Sequence, residues 1–294
     1  MSDKVDIAVK RLREAAKMSQ ALYEKPLLVT YSGGKDSDTV LRLAQIAKIP
    51  FEVQHSHTTA DAPETVYHVR DKFRELELAG IKCEIDYHIQ PDGTRTTMWN
   101  LIQRKLTPPT RCIRYCCAEL KEGGGKDRMI TTGIRWDEST ARKRRGALEI
   151  ISKRKEKSVY LNNDNDEDRR LFETCTMKGK RVANPIIDWE TSDVMDFLTE
   201  EKVKLCSLYS EGWKRVGCIG CPMVGKQRYT EFARYPTYKK AYIRAFDKMM
   251  EMRRLRGMLR GWNMGETGVD VFHWWMEDGI LPGQTVLPGF EEEA

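Results

Sequence analysis

The stretch LLVTYSGGKDSDTVLRLAQIA, residues 27–47, constrains this chain more than any other. Leu27 to Thr30 is a short apolar run that reads as a buried strand. Ser32-Gly33-Gly34-Lys35-Asp36-Ser37 turns the chain, and Val40, Leu41, Leu43, Ala44 and Ala47 then recur at helical spacing. Strand, Gly-rich turn and helix together build an anion cradle. Glycines let the backbone approach a ligand closely, and the first N–H groups and the positive dipole end of the helix point at it. Lys35 adds a point charge; Ser32 and Ser37 add hydroxyl donors. The predicted ligand is a phosphate or pyrophosphate, with Tyr31, Ser32, Gly33, Gly34, Lys35, Asp36 and Ser37 around it.

The loop is not a Walker A sequence, because G-x-x-x-x-G-K-[ST] is unmatched, and it lacks the third glycine of the dinucleotide fingerprint. The hexapeptide SGGKDS resembles the PP-loop of the adenine nucleotide alpha hydrolases. The resemblance implies a grip on the β,γ-pyrophosphate of ATP while the α-phosphate is attacked. Asp36 is then a candidate for holding Mg2+ on the phosphates. Asp38, in the first helical turn, reads as a complement to the helix dipole.

Around this unit the periodicity alternates. A helix is expected over residues 4–23, strands over 49–54 and 81–87, and a helix over 64–78 with Pro63 at its first position. A fourth strand is expected over 129–134. The β-α-β-α-β order predicts a parallel, twisted, Rossmann-like α/β sheet with helices on both faces. Residues 147–182 read as an excursion, with 158–161 and 174–182 pairing as a hairpin around a solvated polar tract, 162–170. A helix over 192–202 follows. Composition shifts after Glu211, so the expected division is a nucleotide-binding domain over 1–224 and a small helical, basic and aromatic C-terminal region over 225–294, helical at 227–256 and 267–277.

At 294 residues, 40% hydrophobic and 32% charged, the chain suits a globular protein, and no apolar run reaches the length of a membrane span. The N-terminal helix carries acidic residues and reads neither as signal nor as transit peptide. The expected location is the cytoplasm, with no membrane partner and a homo-oligomer as a candidate state. A net charge of +6 is compatible with nucleic acid or a polyanionic metabolite without deciding between them.

Eight cysteines in a cytosolic chain point to metal ligands, catalytic thiols or core residues more than to disulfides. Cys116 and Cys117 are adjacent, and Cys218-Ile219-Gly220-Cys221-Pro222 is a C-x-x-C followed by proline. Such a pair serves zinc, an iron–sulfur cluster or a redox dithiol. Its Gly-rich surroundings disfavour the dithiol, and adjacent cysteines are awkward ligands for one tetrahedral ion. A [4Fe-4S] cube accepts both. Cys83, Cys112 and Cys175 suit buried, unliganded thiols.

Several further segments carry a resemblance to the phosphoadenosine phosphosulfate (PAPS) reductase family, from Leu27 to about Met223. They are SGGKDS at 32–37; Asp61-Ala62-Pro63-Glu64-Thr65; Arg114-Tyr115-Cys116-Cys117 with Leu120-Lys121; Gly133-Ile134-Arg135 with Glu138-Ser139 and Arg142; Asn184 to Trp189; and Arg215 to Pro222. The resemblance implies a [4Fe-4S] cluster on Cys116, Cys117, Cys218 and Cys221, with zinc as the alternative group. In the related DNA phosphorothioation sulfurtransferases the second cysteine of the pair can be absent, which makes Cys206 the alternative to Cys117. The reductases of the family carry a catalytic cysteine near the C-terminus, and this sequence has none after Cys221. Together with an intact SGGKDS, this favours an ATP-using sulfurtransferase over a reductase.

Arg135, Arg142, Lys143, Arg144 and Arg145 follow the fourth strand, at the sheet edge where open α/β folds bind ligands. Arg135 and Arg142 are candidates to clamp phosphates or the activated substrate, with Glu138 ordering them. His55 and His57 are candidates to line the nucleotide site, as is Gly133. Trp274, Trp275 and the span 228–242 could pack among themselves or stack on bases. The expected function is an enzyme that adenylates an acceptor with ATP and Mg2+ and supports cluster-dependent sulfur transfer. Its partners would be a sulfur-donor protein or a thioredoxin-like reductant, with a nucleic acid as candidate acceptor. A thioredoxin-dependent PAPS or adenylyl-sulfate reductase is the alternative, and a nucleotide- and cluster-binding redox regulator the second alternative.

Overall fold

The computed structural model describes residues 2–125, 127–138, 142–151, 159–161 and 180–277. These divide into two compact units, and the chain passes between them repeatedly. The first draws on Met1–His57, Ala62–Asp86 and Gly123–Gly217, the second on Thr58–Asp61, Tyr87–Glu122 and residues from Cys218 onward.

The first unit is a Rossmann-like α/β sheet. Helix α1 (Ser2–Tyr23) leads into strand β1 (Leu27–Thr30), helix α2 (Lys35–Ala47), strand β2 (Phe51–Ser56), helix α3 (Pro63–Leu78) and strand β3 (Cys83–Asp86). Strands β4 (Met129–Thr131), β5 (Leu148–Ile151), β6 (Val159–Leu161) and β7 (Lys180–Ala183) complete the sheet, in the order β3-β2-β1-β4-β7-β5-β6. The run from β3 to β7 is parallel. Strand β5 is antiparallel to both β7 and β6. The order reverses between β2 and β4, on either side of β1, which places the turn after β1 at the switch point where such sheets bind ligands.

Alternation along β1 separates two apolar faces. Leu27 and Val29 join the main core with Leu12, Val40, Leu43, Phe73, Ile186 and Trp189, whereas Leu28 joins a small cluster with Ile130 and Val182. The segment Asn184 to Trp189 is scaffolding. Asn184 is fully buried, donates to Gly146 O at 2.8 Å and accepts from Thr132 Oγ1. Asp188 pairs with Arg11 of α1 at 2.8 Å. Helices α6 (Thr191–Glu200) and α7 (Ser207–Ser210) follow.

One pairing differs from the sequence expectation. Residues 159–161 pair with β5, not with 180–182, and Leu148–Ile151, expected within an irregular excursion, is itself a strand between them. The three segments are all short, and β-pairing depends on partners distant in sequence. Residues 162–179, including the expected polar tract and Cys175, lie outside the described residues.

The second unit is helical: α4 (Met98–Lys105), α5 (Tyr115–Leu120), α8 (Gln227–Arg234), α9 (Pro236–Leu255) and α10 (Gly268–Met276). Its core is aromatic. Tyr242 lies 4.8 Å from Trp275 between ring centroids, and Phe232 5.1 Å from Phe272. Trp275 donates to Pro109 O at 2.6 Å. Trp275 is thus a core residue, while Trp274 is half-buried. No described helix is long and apolar enough to cross a membrane.

Candidate functional site: a phosphate cradle and a thiol group

The cradle is built by two glycines with different tasks. Gly33 has φ +77°, and a Cβ there would stand 2.9 Å from Val69 Cγ2 and 3.0 Å from Thr65 Cγ2. Both the left-handed backbone and the contact with α3 demand glycine. Gly34 is the N-cap of α2 in an extended conformation and supplies no side-chain cap. The N-cap residue therefore offers the first helical amides no hydroxyl or carboxylate of its own. Asp38 N donates to Gly34 O at 3.0 Å, which closes the first turn.

The two serine hydroxyls turn inward. Ser37 Oγ donates to Gly34 O at 2.7 Å, and Ser32 Oγ donates to Ser37 Oγ at 3.2 Å. The Lys35 amide donates to the hydroxyl of Tyr209 in α7, at 3.0 Å. Tyr209 was invisible as a site residue in the sequence, because it lies 174 positions from its partner. Burial, with Asp36 and Asp38 nearby, pushes its phenol up to about 12.

Arg135 is almost fully buried and its guanidinium is engaged by the protein itself. Its Nε donates to Asp36 Oδ1 at 2.7 Å, and its Nη1 reaches Asp137 Oδ2 at 3.2 Å and Trp189 O at 3.3 Å. In this arrangement it orients Asp36, whose other oxygen lies 3.4 Å from Lys35 Nζ. Glu138 accepts from the Arg135 amide and pairs with Arg142. Arg145 pairs with the fully buried Glu149 at 2.7 Å, and Lys143 and Arg144 are exposed. Ser139 lies outside the described residues. Gly133 packs directly on the loop: a Cβ there would meet Asp36 O at 2.8 Å.

Behind the loop, Tyr31 donates to Asp38 Oδ1 at 2.6 Å, and His68 Nε2 lies 3.2 Å from Asp38 Oδ2. Asp38 is 1% exposed and Tyr31 2%. Asp38 is thus the hub of a buried polar network as well as a first-turn acid, and burial next to it raises the Tyr31 phenol well above its ordinary value. The side chain of Tyr31 faces this network. His55 is buried with Nδ1 2.9 Å from Tyr31 O; His57 donates its amide to Asp86 O at 3.0 Å. The two imidazoles stand edge to face, 6.3 Å apart.

The thiol group lies in the second unit. Cys116 and Cys117 open α5, and Cys218 and Cys221 belong to the loop before α8. That loop is held from several directions. Ile219 N donates to Ala60 O at 2.7 Å, Tyr242 Oη to Ile219 O at 3.0 Å, and Gly220 N to the buried Glu231 at 2.6 Å. Gly220, at φ +74°, lies where a Cβ would stand 2.4 Å from the Phe232 ring. Cys218 Sγ is 3.2 Å from Thr58 Oγ1 and 3.8 Å from Asp61 Oδ1.

The electrostatics of the four thiols are linked. A hydrogen bond with Cys116 and the Arg114 guanidinium, 3.4 Å from Cys117 Sγ, hold the Cys117 thiol below its ordinary value, and Cys116 is raised by the same hydrogen bond and by burial. Burial pushes Cys218 up to about 11, against the pull of Lys121. The Lys121 ammonium is raised chiefly by Cys218, with Asp61, Cys221 and Cys117 adding. The cations Arg114 and Lys121 thus lie close enough to these sulfurs to favour their thiolate forms. Among the described residues, no three His, Cys, Asp or Glu side chains converge as ligands of a single ion. Cys206 belongs to the first unit, buried at the N-cap of α7 with Thr65 Oγ1 4.0 Å away. Cys83 is half-buried and Cys112 exposed.

The chain matches the family model described as phosphoadenosine phosphosulfate reductase domain over residues 26–224, and it belongs to that family of the PP-loop superfamily. It is 25% identical over 253 residues to an uncharacterised protein of Methanocaldococcus jannaschii, covering 85% of this chain and 46% of that one. It is 28% identical over 204 residues to sulfate adenylyltransferase subunit 2 of Rhodopseudomonas palustris, covering 67% of this chain and 58% of that one. The chain thus spans about half the length of the curated relatives it matches. Among solved structures, the PAPS reductase of Candida auris in its phosphate complex shares 18% identity at a TM-score of 0.43, over 73% of this chain and 93% of that one.

Proposed function

We propose that the chain is an ATP-using enzyme that transfers the adenylyl group to an acceptor oxygen, releases pyrophosphate, and couples this to sulfur transfer. The observation that carries the reading is the SGGKDS turn. It has a glycine N-cap without a side-chain partner, a second glycine at φ +77° and Lys35 beside it, at the switch point of a family-matched sheet. In this reading the acceptor oxygen forms a bond to the α-phosphorus and the α–β bridging bond breaks. The two leaving phosphates take their charge to the α2 amides and Lys35. Asp36, oriented by Arg135, is the residue to hold Mg2+, which adds Lewis-acid stabilisation.

Cys116, Cys117, Cys218 and Cys221 would hold a [4Fe-4S] cluster; the all-sulfur donor set and the cations Arg114 and Lys121 support that assignment. Such a cluster supplies redox and sulfur-binding iron chemistry. The similarity to sulfate adenylyltransferase subunit 2 of Rhodopseudomonas palustris supports adenylyl transfer, and that relative's being a subunit supports a partner chain. A sulfur-donor protein and a nucleic acid or small-metabolite acceptor complete the proposal.

The second reading, a thioredoxin-dependent PAPS reductase, is favoured by the description of the matching family itself. One assay separates the two. Protein purified without oxygen is given ATP, labelled pyrophosphate and a candidate acceptor (nucleic acid or an oxyanion such as sulfate), and separately PAPS with reduced thioredoxin. Exchange of label into ATP is expected. Sulfite release from PAPS with no ATP cleavage would overturn the adenylylation reading.

A further inference from the structure

Within that reading of the SGGKDS loop, we infer that Tyr209 is a nucleotide-binding residue: its hydroxyl is the O–H donor that the cradle presents to the pyrophosphate. The sequence suggests Ser32 and Ser37 for this task. The structure commits both elsewhere, Ser37 to Gly34 O at 2.7 Å and Ser32 to Ser37 at 3.2 Å, so the serine chain braces the turn. Tyr209 is placed differently. Its oxygen accepts the Lys35 amide at 3.0 Å, and a Cβ on Gly34 would stand 3.5 Å from it. It therefore sits at the mouth of the turn, against the glycine N-cap.

A phenol that accepts one N–H directs its own hydrogen away from that donor. In the proposed complex that free hydrogen is the one offered to the anion. Donation from the Lys35 amide polarises the hydroxyl and strengthens it as a donor, as in any hydrogen-bonded chain. Burial, with the charges of Asp36 and Asp38 nearby, keeps the phenol protonated at neutral pH. Tyr209 thus extends the reach of the first helical amide by one oxygen. The ring is held by α7, so the donor is fixed in position before the ligand arrives, which lowers the entropy cost of binding. Val216 packs on the same glycine, 3.6 Å from its Cβ position, so the segment carrying Tyr209 is seated on the loop at two points.

The ligand class is an inorganic or nucleotide pyrophosphate, and the test uses inorganic pyrophosphate with Mg2+ on the full chain. Titration calorimetry on the wild type comes first, then on Tyr209→Phe, which keeps the ring and removes only the hydroxyl. A hydrogen bond to a charged acceptor predicts about ten- to a hundredfold weaker binding in the variant. Equal or tighter binding by a folded variant overturns the role of Tyr209 and leaves the PP-loop reading standing. Absence of pyrophosphate and ATP binding by the wild type overturns both. A second measurement needs no variant to fold: in wild-type protein labelled at tyrosine Cζ, pyrophosphate must shift one tyrosine resonance strongly. No shift at saturation overturns the inference.

Discussion

Asp36 shows how much of the site is decided one residue at a time. The sequence marks it as a metal-holding carboxylate and marks Arg135 as a phosphate clamp. In the fold they hold each other, and Gly133 makes room for the backbone of Asp36. Gly133→Ala would force a methyl into a space 2.8 Å from a carbonyl oxygen, an overpacking cost of about 1–3 kcal/mol. The expected outcome is a folded protein with a lowered melting temperature and loss of ATP–pyrophosphate exchange. Full exchange would show that Asp36 tolerates displacement. Tyr31→Phe tests the network behind the loop. It strips a hydroxyl from a carboxylate that is 1% exposed, which predicts a loss of about 1–3 kcal/mol. The reading is a lower urea midpoint at unchanged m-value; an unchanged midpoint would mean that His68 alone satisfies Asp38.

At the scale of elements, periodicity located the helices and the first four strands, and it missed β5 and the pairing around it. The expected helix over 227–256 is two helices, α8 and α9, broken where Tyr235 precedes Pro236. A proline lacks the N–H to continue a helix and restricts the residue before it. Helix α9 buries Tyr242, Ala245, Phe246, Met249 and Met250, one apolar stripe at helical spacing. Lys240, Arg244 and Lys248 lie on the opposite side, exposed and four residues apart. If a nucleic acid is the acceptor, this row is suited to its phosphates. Changing all three to Glu should then reduce the slope of log affinity against log salt by about 2–3, at 0.7 to 0.9 per phosphate contact. An unchanged slope in a filter-binding or anisotropy titration would remove α9 from the interface.

At the scale of the whole molecule, the loop and the four cysteines belong to different compact units, each assembled from segments far apart in the chain. The thiol group joins α5 to a loop some hundred residues later, on a Gly220 backbone that only glycine adopts comfortably. Protein purified without oxygen should show visible charge-transfer absorption and about four iron per chain. Replacing Cys116 and Cys117 together by Ser should remove both signals. A colourless wild-type protein carrying zinc would overturn the cluster assignment.

The sequence by itself determined the strand–turn–helix, the helical periods, the cysteine motifs and, through them, the family. Each of these is a local pattern: spacing, glycine and proline placement, and residue type within a few positions carry it. Only the tertiary structure decided that β5 stands between β7 and β6, that Arg135 serves Asp36, that the serine hydroxyls turn inward, and that Tyr209 meets the Lys35 amide. The reason is the same in the long-range cases. Strand pairing, burial of a charge and satisfaction of an amide are settled by partners that the chain brings together only on folding, and no spacing within the sequence encodes which partner arrives.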